Sequence, residues 1–452
     1  MNIIIVGCGK VGLSILSSLV AEGHDVTVID SRAASIAEIT NIYDAMGVCG
    51  SGVDPETLQE AGVAKAQMFI AATGSDEMNM LSCFLAKRLG AEHTIARIRN
   101  PEYNDKTSVF LRQQLQLDLA VNPDLLAANE LYNVLQLPSA AKLETFSRRR
   151  LEMVELRLKA ESPLCGTPLY ELRKKFSGSF LVGVVQRGKD AFIPDGSFVL
   201  QAGDRIGLIA PPQDLQKLLN MLDPAKKEAH KVMLLGASRV AYYLTRRLLS
   251  AGCAVTVIEK DADRCADFAE RLPKAMVICG DGARQELLME EGLGNADAFV
   301  ALTGMDEENI LMAIFAESKN VSKAIAKINR TELNDIAENL GLDSTVTPRQ
   351  IVSDVVVQYA RALENSMGSS VETLYKLMDE QVEALEFTVR ADFAHVNVPL
   401  KDMKLKKNTL LGGIIRGRKA IMPTGDDVLM PGDQVVVLAA GQRLQSLSDM
   451  ME

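Results

Sequence analysis

Three glycines near the start of the chain have the spacing of a phosphate-binding turn. Gly7, Gly9 and Gly12 form a G-x-G-x-x-G pattern between an apolar run and a helical pattern. In this arrangement the first glycine makes a tight turn, the second lets the backbone approach a pyrophosphate closely, and the third allows the helix to pack on the strand. The helix start also directs free N–H groups toward an anion. The turn therefore predicts binding of a diphosphate.

An acidic residue follows where a ribose contact is expected. Asp30 ends the next apolar run, 18 residues after Gly12, and a carboxylate there accepts hydrogen bonds from ribose hydroxyl groups. A glycine triplet alone is weak evidence, but the triplet with its strand, helix and acid is specific. Together they predict a dinucleotide site.

The chain contains a second, altered copy of this pattern. VTVID at residues 26–30 recurs as VTVIE at 255–259, an offset of about half the chain, which indicates a tandem duplication. In this copy the turn reads GASRVA, and Ser238 stands where Gly9 does. Its Cβ would lie where backbone and pyrophosphate nearly touch, so we expect poor dinucleotide binding. A mononucleotide ligand and an empty structural copy are the alternatives.

Each copy begins with short apolar runs that alternate with helical patterns. Residues 3–6, 26–29 and 68–72 predict buried strands, and 11–22 and 79–89 predict helices. Near-continuous apolar strands are typical of a parallel sheet that helices cover on both faces. This part is therefore predicted to be a Rossmann-like, doubly wound parallel-sheet domain.

The second part of each copy predicts a small α+β lobe. Apolar and charged residues alternate over 154–159, and short strands are predicted at 180–185, 191–193 and 205–210 between turn signals. The predicted fold class is therefore α/β, a tandem duplication of a Rossmann-like domain followed by a small α+β lobe. The predicted domains are residues 1–140, 141–222, 230–366 and 372–452, with a polar linker at 223–228.

A helix between the second Rossmann-like domain and its lobe has two interpretations. Thr347 and Pro348 resemble an N-cap and a first helical position, and an apolar stripe follows from Ile351 to Leu363. The helix packs either on its own sheet or across onto a partner domain. Its counterpart in the first copy begins after Asn122 and Pro123.

Composition excludes several classes of protein. The chain has 452 residues and a net charge of −10, which disfavours nucleic acid or anionic lipid as partners. No window is long and apolar enough to suggest insertion into a membrane. Seven cysteines without a C-x-x-C motif indicate a reducing, cytoplasmic environment, and the scattered histidines indicate no metal site.

Further segments resemble one protein family. They are GSGVD at 50–54, AATGSDEMN at 71–79 and ARIRNPEY at 96–103, with GDG at 280–282 and TGMDEEN at 303–309 in the second copy. This set is similar to the TrkA family of potassium-uptake regulators. In that family an RCK (KTN) nucleotide-binding domain, also called TrkA-N, precedes a small TrkA-C lobe. The likeness covers nearly the whole chain and both copies.

The resemblance implies a regulatory subunit and not an enzyme. Such a subunit is cytoplasmic and lies at the inner face of the cell membrane by docking beneath a TrkH- or KtrB-like potassium channel or transporter. NAD(H), ATP or ADP then shifts a ring of eight RCK folds between conformations, and two folds per chain imply a homotetramer. NAD(H) is expected in the first copy, ATP and ADP are further candidates, and occupancy of the second copy stays open.

The resemblance also assigns residues to the nucleotide site. Asp30 would hold the ribose, Thr73 and Gly74 would line the ligand, and the glycine turn would hold the phosphates. Arg97 would reach toward those phosphates. Ser51 departs from the Asp that is common at this position in the family and is present here as Asp281. The full expected set is Gly7, Cys8, Gly9, Lys10, Val11, Gly12, Asp30, Arg32, Ser51, Ala72, Thr73, Gly74 and Arg97, with Glu259, Asp281 and Thr303 in the second copy.

Two rival functions remain open from the sequence. The glycine pattern also serves NAD-dependent oxidoreductases, and Tyr170 and Lys174 have the Tyr-x-x-x-Lys spacing of short-chain dehydrogenases. However, that pair falls in the small lobe, and the glycine spacing is not that of short-chain dehydrogenases. The other rival is a nucleotide-sensing scaffold for a different membrane partner.

Overall fold

Four β-sheets organise the part of the chain that the structure describes, two of them parallel and two antiparallel. The computed structural model describes residues 1–103, 106–137, 142–147, 149–176, 180–222, 229–342, 344–366, 371–378 and 381–452. Each parallel sheet precedes an antiparallel one along the chain, which confirms the predicted fold class. The predicted linker at 223–228 lies outside the described residues.

The first parallel sheet has the strand order β3-β2-β1-β4-β5-β6. All of its neighbouring strands are parallel, and β4 is buried along its full length because helices cover both faces of the sheet. Its strands are β1 (Asn2–Val6), β2 (Asp25–Asp30), β3 (Ala45–Cys49), β4 (Met68–Ala71), β5 (His93–Arg97) and β6 (Leu119–Val121).

The helices of this sheet begin close to their predicted positions. One begins three residues early, at Asp76 instead of 79, because the Ser75 hydroxyl accepts the Met78 N–H at 3.2 Å and caps the helix there. The helices are α1 (Lys10–Ala21), α2 (Ala33–Ile42), α3 (Pro55–Glu60), α4 (Asp76–Arg88), α5 (Lys106–Gln114) and α6 (Pro123–Gln136).

The first small lobe is an antiparallel sheet with two helices. Its strand order is β10-β9-β11-β8-β7, and its apolar face packs beneath α7 and α8 around Leu172 and Leu215. The elements are β7 (Lys142–Phe146), β8 (Leu151–Arg157), α7 (Leu169–Lys175), β9 (Leu181–Arg187), β10 (Asp190–Phe192), β11 (Arg205–Ala210) and α8 (Pro212–Leu222).

The second parallel sheet repeats the first in strand order, β14-β13-β12-β15-β16-β17. Its strands are β12 (Lys231–Leu235), β13 (Ala254–Glu259), β14 (Met276–Cys279), β15 (Ala298–Ala301), β16 (Lys323–Lys327) and β17 (Thr345–Val346). Its helices are α9 (Arg239–Ser250), α10 (Ala262–Arg271), α11 (Gln285–Glu290), α12 (Asp306–Ser318), α13 (Glu332–Asn339) and α14 (Pro348–Ser366).

The second lobe repeats the first lobe's sheet but not its helices. Its strand order, β18-β19-β22-β20-β21, matches that of the first lobe element by element. Short 3₁₀ turns at Leu400–Asp402 and Leu447–Met450 stand where the first lobe has α7 and α8. The strands are β18 (Val371–Leu377), β19 (Val382–Thr388), β20 (Thr409–Arg416), β21 (Lys419–Ile421) and β22 (Gln434–Ala440).

The two lobes share one core, and this contact buries charged residues. Phe146 of the first lobe stacks edge-to-face on Tyr375 of the second, with ring centroids 4.8 Å apart. Glu155 of β8 is 1% exposed and accepts the Met378 N–H at 3.3 Å. In the matching contact, the Ser147 N–H donates to Glu386 of β19 at 3.3 Å. The lobes are therefore joined by a pair of equivalent hydrogen bonds.

Helix α14 packs on the first parallel sheet, which settles the choice left by the sequence. Residues 1–128 and 347–360 form one compact unit, and residues 129–346 and 361–452 form another. Within the first unit, the Ser353 hydroxyl donates to Ser14 of α1 at 2.8 Å, and Tyr359 meets His93 edge-to-face. Helix α14 thus belongs in part to the unit of the first sheet, and the division into four domains stays a prediction.

The end of α6 makes the reciprocal contact inside the second unit. Arg247 of α9 donates to Asn129 and lies 4.2 Å over the ring of Tyr132. A cation above an aromatic face is favourable when both are partly shielded from water.

Among the described residues, no helix combines the length and apolar character needed to cross a bilayer.

Candidate functional site

The first unit contains a cleft at the carboxyl ends of β1, β2 and β4. It has a volume of about 500 Å³ and lies where the chain leaves the sheet in opposite directions from β1 and β4. Ligands of doubly wound sheets bind at such a switch point. The cleft is lined by Val6, Gly7, Gly9, Val11, Ile29, Asp30, Ser31, Arg32, Gly50, Ser51, Gly52, Ala72, Thr73, Gly74, Ser75, Met78 and Arg97.

Two of the three turn glycines are required by the protein itself. Gly7 has a φ of +94°, and a Cβ there would lie 2.9 Å from the Thr73 backbone. A Cβ on Gly12 would lie 1.9 Å from the Gly7 carbonyl oxygen. These two positions therefore accept only glycine, whether or not a ligand binds.

Gly9 has no such reason to be glycine. Its φ of −78° suits any residue, and a Cβ there would meet no protein atom within 4 Å. Gly9 is the N-cap of α1, has no side-chain capping hydrogen bond, and lines the cleft. The missing side chain thus leaves space open in front of the first N–H groups of the helix, where an anion is favoured.

Asp30 connects the glycine turn to the end of β2. Its carboxylate accepts the Cys8 N–H at 2.8 Å and the Arg32 N–H at 3.0 Å, and the Arg32 Nε donates to it at 3.2 Å. Burial disfavours the charged form, but these hydrogen bonds outweigh burial and lower the pKa of Asp30 below its usual value. Asp30 is therefore ionised and can accept hydrogen bonds from a ribose.

Asn79 holds the loop after β4 and was missed from the sequence. This fully buried side chain accepts the Thr73 N–H at 2.8 Å and the Thr73 hydroxyl at 2.7 Å, and it donates to the Arg97 carbonyl at 2.8 Å. The Arg97 guanidinium in turn donates to the Thr73 carbonyl at 2.7 Å. Asn79 thus positions two predicted ligand-contacting residues. The sequence signal for this role is an Asn six residues after Thr73 in the first copy and six residues after Thr303 in the second.

The structure brings most of the predicted residues together. Cys8, Lys10 and Gly12 do not line the cleft. Cys8 acts through its N–H on Asp30, and burial raises the pKa of its thiol to about 12, so this thiol stays protonated. Contacts of Cys8, Lys10 and Gly12 with a ligand stay predictions. Ten of the predicted residues line the first cleft, namely Gly7, Gly9, Val11, Asp30, Arg32, Ser51, Ala72, Thr73, Gly74 and Arg97.

The second unit contains the equivalent cleft, and it is smaller. Its volume is about 310 Å³, and the predicted residues Glu259, Asp281 and Thr303 line it. Asn309 accepts the Thr303 N–H at 2.9 Å, as Asn79 does for Thr73. The Ala237 N–H donates to Glu259 at 2.8 Å, as Cys8 does to Asp30. The framework of the site is therefore conserved between the two copies.

Ser238 changes the phosphate end of the second cleft. Its φ of −79° and ψ of 170° reproduce the backbone of Gly9, so its side chain points into the space that Gly9 leaves open. The Ser238 hydroxyl accepts the Ala241 N–H at 3.3 Å. The protein's own side chain therefore caps α9 where a phosphate would otherwise bind.

Tyr170 and Lys174, the pair with dehydrogenase spacing, lie on α7 of the first lobe. Neither lines either cleft, and the Tyr170 hydroxyl donates to Glu171 at 3.1 Å. This hydrogen bond raises the pKa of Tyr170.

We expect Asn79→Ala to weaken the NADH binding that the sequence predicts for the first cleft about tenfold, because the Thr73 N–H loses its acceptor and the loop loosens. Titration calorimetry with NADH measures the affinity of the variant and of the parent chain. Asn309→Ala makes the same change in the other copy and is the control, since it should leave first-cleft affinity unchanged. Equal binding by the Asn79 variant and the parent chain would contradict the positioning role.

Comparison with known proteins agrees with this architecture. The TrkA-N domain family matches residues 3–123 and 232–348, and the TrkA-C domain family matches residues 153–223 and 384–452. The chain is 30% identical over 449 residues to the Trk system potassium uptake protein TrkA homolog of Archaeoglobus fulgidus, and the match covers 99% of each protein.

Two solved structures share the fold at low sequence identity. The GsuK channel bound to NAD is 16% identical with a TM-score of 0.63, covering 97% of this chain and 77% of that one. GsuK bound to ADP is 15% identical with a TM-score of 0.51, covering 81% and 69%. The full-length relative and the matches of both domain types in both copies show that this chain belongs to the TrkA family of Trk system potassium uptake proteins.

Proposed function

We propose that this chain is the regulatory subunit of a Trk-type potassium uptake system and that a nucleotide in the first cleft is its signal. The observation that supports this most directly is Gly9. Neither packing nor backbone conformation explains a glycine there, and the space it leaves lies at the N-terminus of α1 within the cleft. A phosphate group accounts for that space.

The proposed ligands of the first cleft are NAD(H), with ATP and ADP as further candidates. Asp30 accepts the ribose hydroxyl groups, the turn at Gly7 and Gly9 receives the diphosphate, and Arg97 faces its charge. The named structural relatives carry NAD and ADP, which supports an adenine nucleotide. The second cleft, closed at its phosphate end by Ser238, binds such ligands more weakly.

The nucleotide acts as a signal and is not consumed. Gating of ion flux requires only that the ligand binds one conformation better than another. A ligand reaching Thr73, Gly74 and Arg97 contacts the loops after β4 and β5. The membrane partner is a potassium channel or transporter subunit of the TrkH or KtrB kind. The chain lies beneath it at the cytoplasmic face.

Exposed apolar side chains support assembly into a ring. Leu81 on α4 and Leu311 on α12 occupy equivalent positions in the two copies, and both are exposed, Leu311 at 62%. On the next helix along the chain in each copy, Phe110 of α5 and Leu340, directly after α13, are also exposed. Such faces are stabilised when another molecule covers them. Four chains that pair these faces form the proposed homotetrameric ring of eight nucleotide-binding folds.

We expect Gly9→Val to fold normally and to lose nucleotide binding. The added side chain meets no protein atom but fills the phosphate space, at a cost of at least about 2 kcal/mol, or roughly 30-fold in Kd. Calorimetry with NADH and ADP measures binding, and rubidium flux in vesicles that hold the membrane subunit measures gating. Nucleotide-dependent flux that persists in this variant would refute the proposed signal.

An absorbance assay of NADH oxidation by the parent chain separates a regulator from an oxidoreductase. The parent chain should bind NADH saturably without oxidising it in the presence of carbonyl substrates, followed by absorbance. Steady consumption of NADH would favour the enzyme alternative.

We expect Ser238→Gly to raise nucleotide affinity of the second cleft about tenfold, since it removes the obstructing Cβ and releases the Ala241 N–H. The change is made in the Gly9→Val background, so that calorimetry reports only the second cleft. Ser250→Gly, at the other end of α9, is the matched control. No gain over that control would mean that Ser238 does not limit binding.

Carboxylates introduced on the equivalent exposed faces of α4 and α12 test the proposed assembly. The parent should have about four times the chain mass of 49.1 kDa in light scattering. Leu81→Asp and Leu311→Asp should each give smaller species, because a carboxylate is costly in an apolar interface. Met221→Asp, at an exposed apolar position on α8, should leave the mass unchanged. A tetramer that survives both helix variants would contradict this interface.

A further inference from the structure

Two cysteines of the second unit meet beside the acid of the second cleft. Cys265 is the fourth residue of α10, and its Sγ donates to the Glu259 carbonyl oxygen at 3.2 Å. Cys279 is the last residue of β14 and is the parallel-register partner of Glu259. The Gly280 N–H, directly after Cys279, donates to the same carbonyl oxygen at 2.8 Å. One carbonyl therefore brings the Cys265 thiol to the backbone at the end of β14, next to Cys279.

The two thiols differ in access to solvent. Cys279 is exposed on β14, which is the edge strand of its sheet, whereas Cys265 is buried. Burial, followed by the contact with Cys279, raises the pKa of Cys265 to about 12. Cys265 therefore stays protonated, and a soluble oxidant reaches Cys279 first.

We propose that Cys265 and Cys279 are a redox modification site that closes to a disulfide in the presence of hydrogen peroxide. The Cys279 sulfur attacks peroxide, the O–O bond breaks, and a sulfenic acid and water form. The Cys265 sulfur then loses its proton and attacks the sulfenic sulfur. The S–O bond breaks, and a second water leaves with that proton. Peroxide is reduced by two electrons, and the two thiols are oxidised.

The link fastens α10 to the strand end that forms the cleft rim. Arg264, beside Cys265, and Asp281, two residues after Cys279, both line the second cleft. The bond thus restrains two rim residues that belong to different elements. This inference concerns the thiols themselves and holds whether or not a nucleotide occupies the cleft.

The first copy provides an internal comparison. Cys49 is the last residue of β3 and the register partner of Asp30, as Cys279 is of Glu259. The residue at the Cys265 position is Ile36, the fourth residue of α2. Cys49 is exposed and lacks a second thiol at that position, so it should not form the equivalent link.

The test treats the full chain with hydrogen peroxide, blocks free thiols and maps peptides by mass spectrometry. We expect a linked peptide pair that contains Cys265 and Cys279, reversed by dithiothreitol, and no link at Cys49. Cys265→Ser should instead leave Cys279 as a sulfenic or sulfinic acid. Ile36→Cys should add a second link, to Cys49, in the first copy. A parent chain in which Cys279 is overoxidised while Cys265 stays free would overturn the proposal.

A second measurement tests the effect on the cleft rim. Hydrogen–deuterium exchange of the oxidised chain should be slower in α10 and over residues 280–282 than that of the reduced chain. The Cys265→Ser variant, treated in the same way, should show no slowing. Unchanged exchange in a fully linked parent chain would refute the restraint.

Discussion

The candidate site depends on parallel pairing of β1 with β2 on one side and β4 on the other. This pairing brings three carboxyl strand ends to one edge, and the connections leave β1 and β4 in opposite directions. The resulting crevice lies at the N-terminus of α1, where unsatisfied N–H groups favour an anion. The Cys8 N–H bond to Asp30 then fixes the turn against β2. Every other feature of the cleft is built on that edge.

The two copies share the hydrogen bonds that hold the site's framework and differ in a residue at its phosphate end. Both copies keep the carboxylate that holds the turn and the asparagine that holds the loop after the fourth strand of the sheet. They differ where a phosphate would rest, because Gly9 leaves space and Ser238 fills it with its own hydroxyl group. A folded framework can thus persist when the residue at its phosphate end changes, since the framework bonds lie within the protein.

The small lobes illustrate how a shared core changes the meaning of a sequence pattern. Charged residues alternate with apolar ones over residues 154–159, at the end of β8, as in a strand with one solvent-exposed face. Glu155 is nevertheless buried, because the second lobe covers that face and Arg205 pairs with the carboxylate at 2.7 Å. A buried charge is tolerated only with such partners. The lobes therefore join through a polar and apolar surface that neither could form alone.

The sequence by itself determined the duplication, the parallel sheets, the small α+β lobes and most residues of the first cleft. It could do so because the turn, the strand ends and the acid are local signals with fixed spacing. It did not disclose the Asn79 bonds to Thr73 and Arg97, the crossing of α14 or the meeting of Cys265 with Cys279. Those depend on which distant elements become neighbours, and that is decided when apolar faces find partners in three dimensions. Tertiary packing placed Ser353 of α14 against Ser14 of α1, a choice that the helix's own apolar stripe left open because either sheet could have covered it.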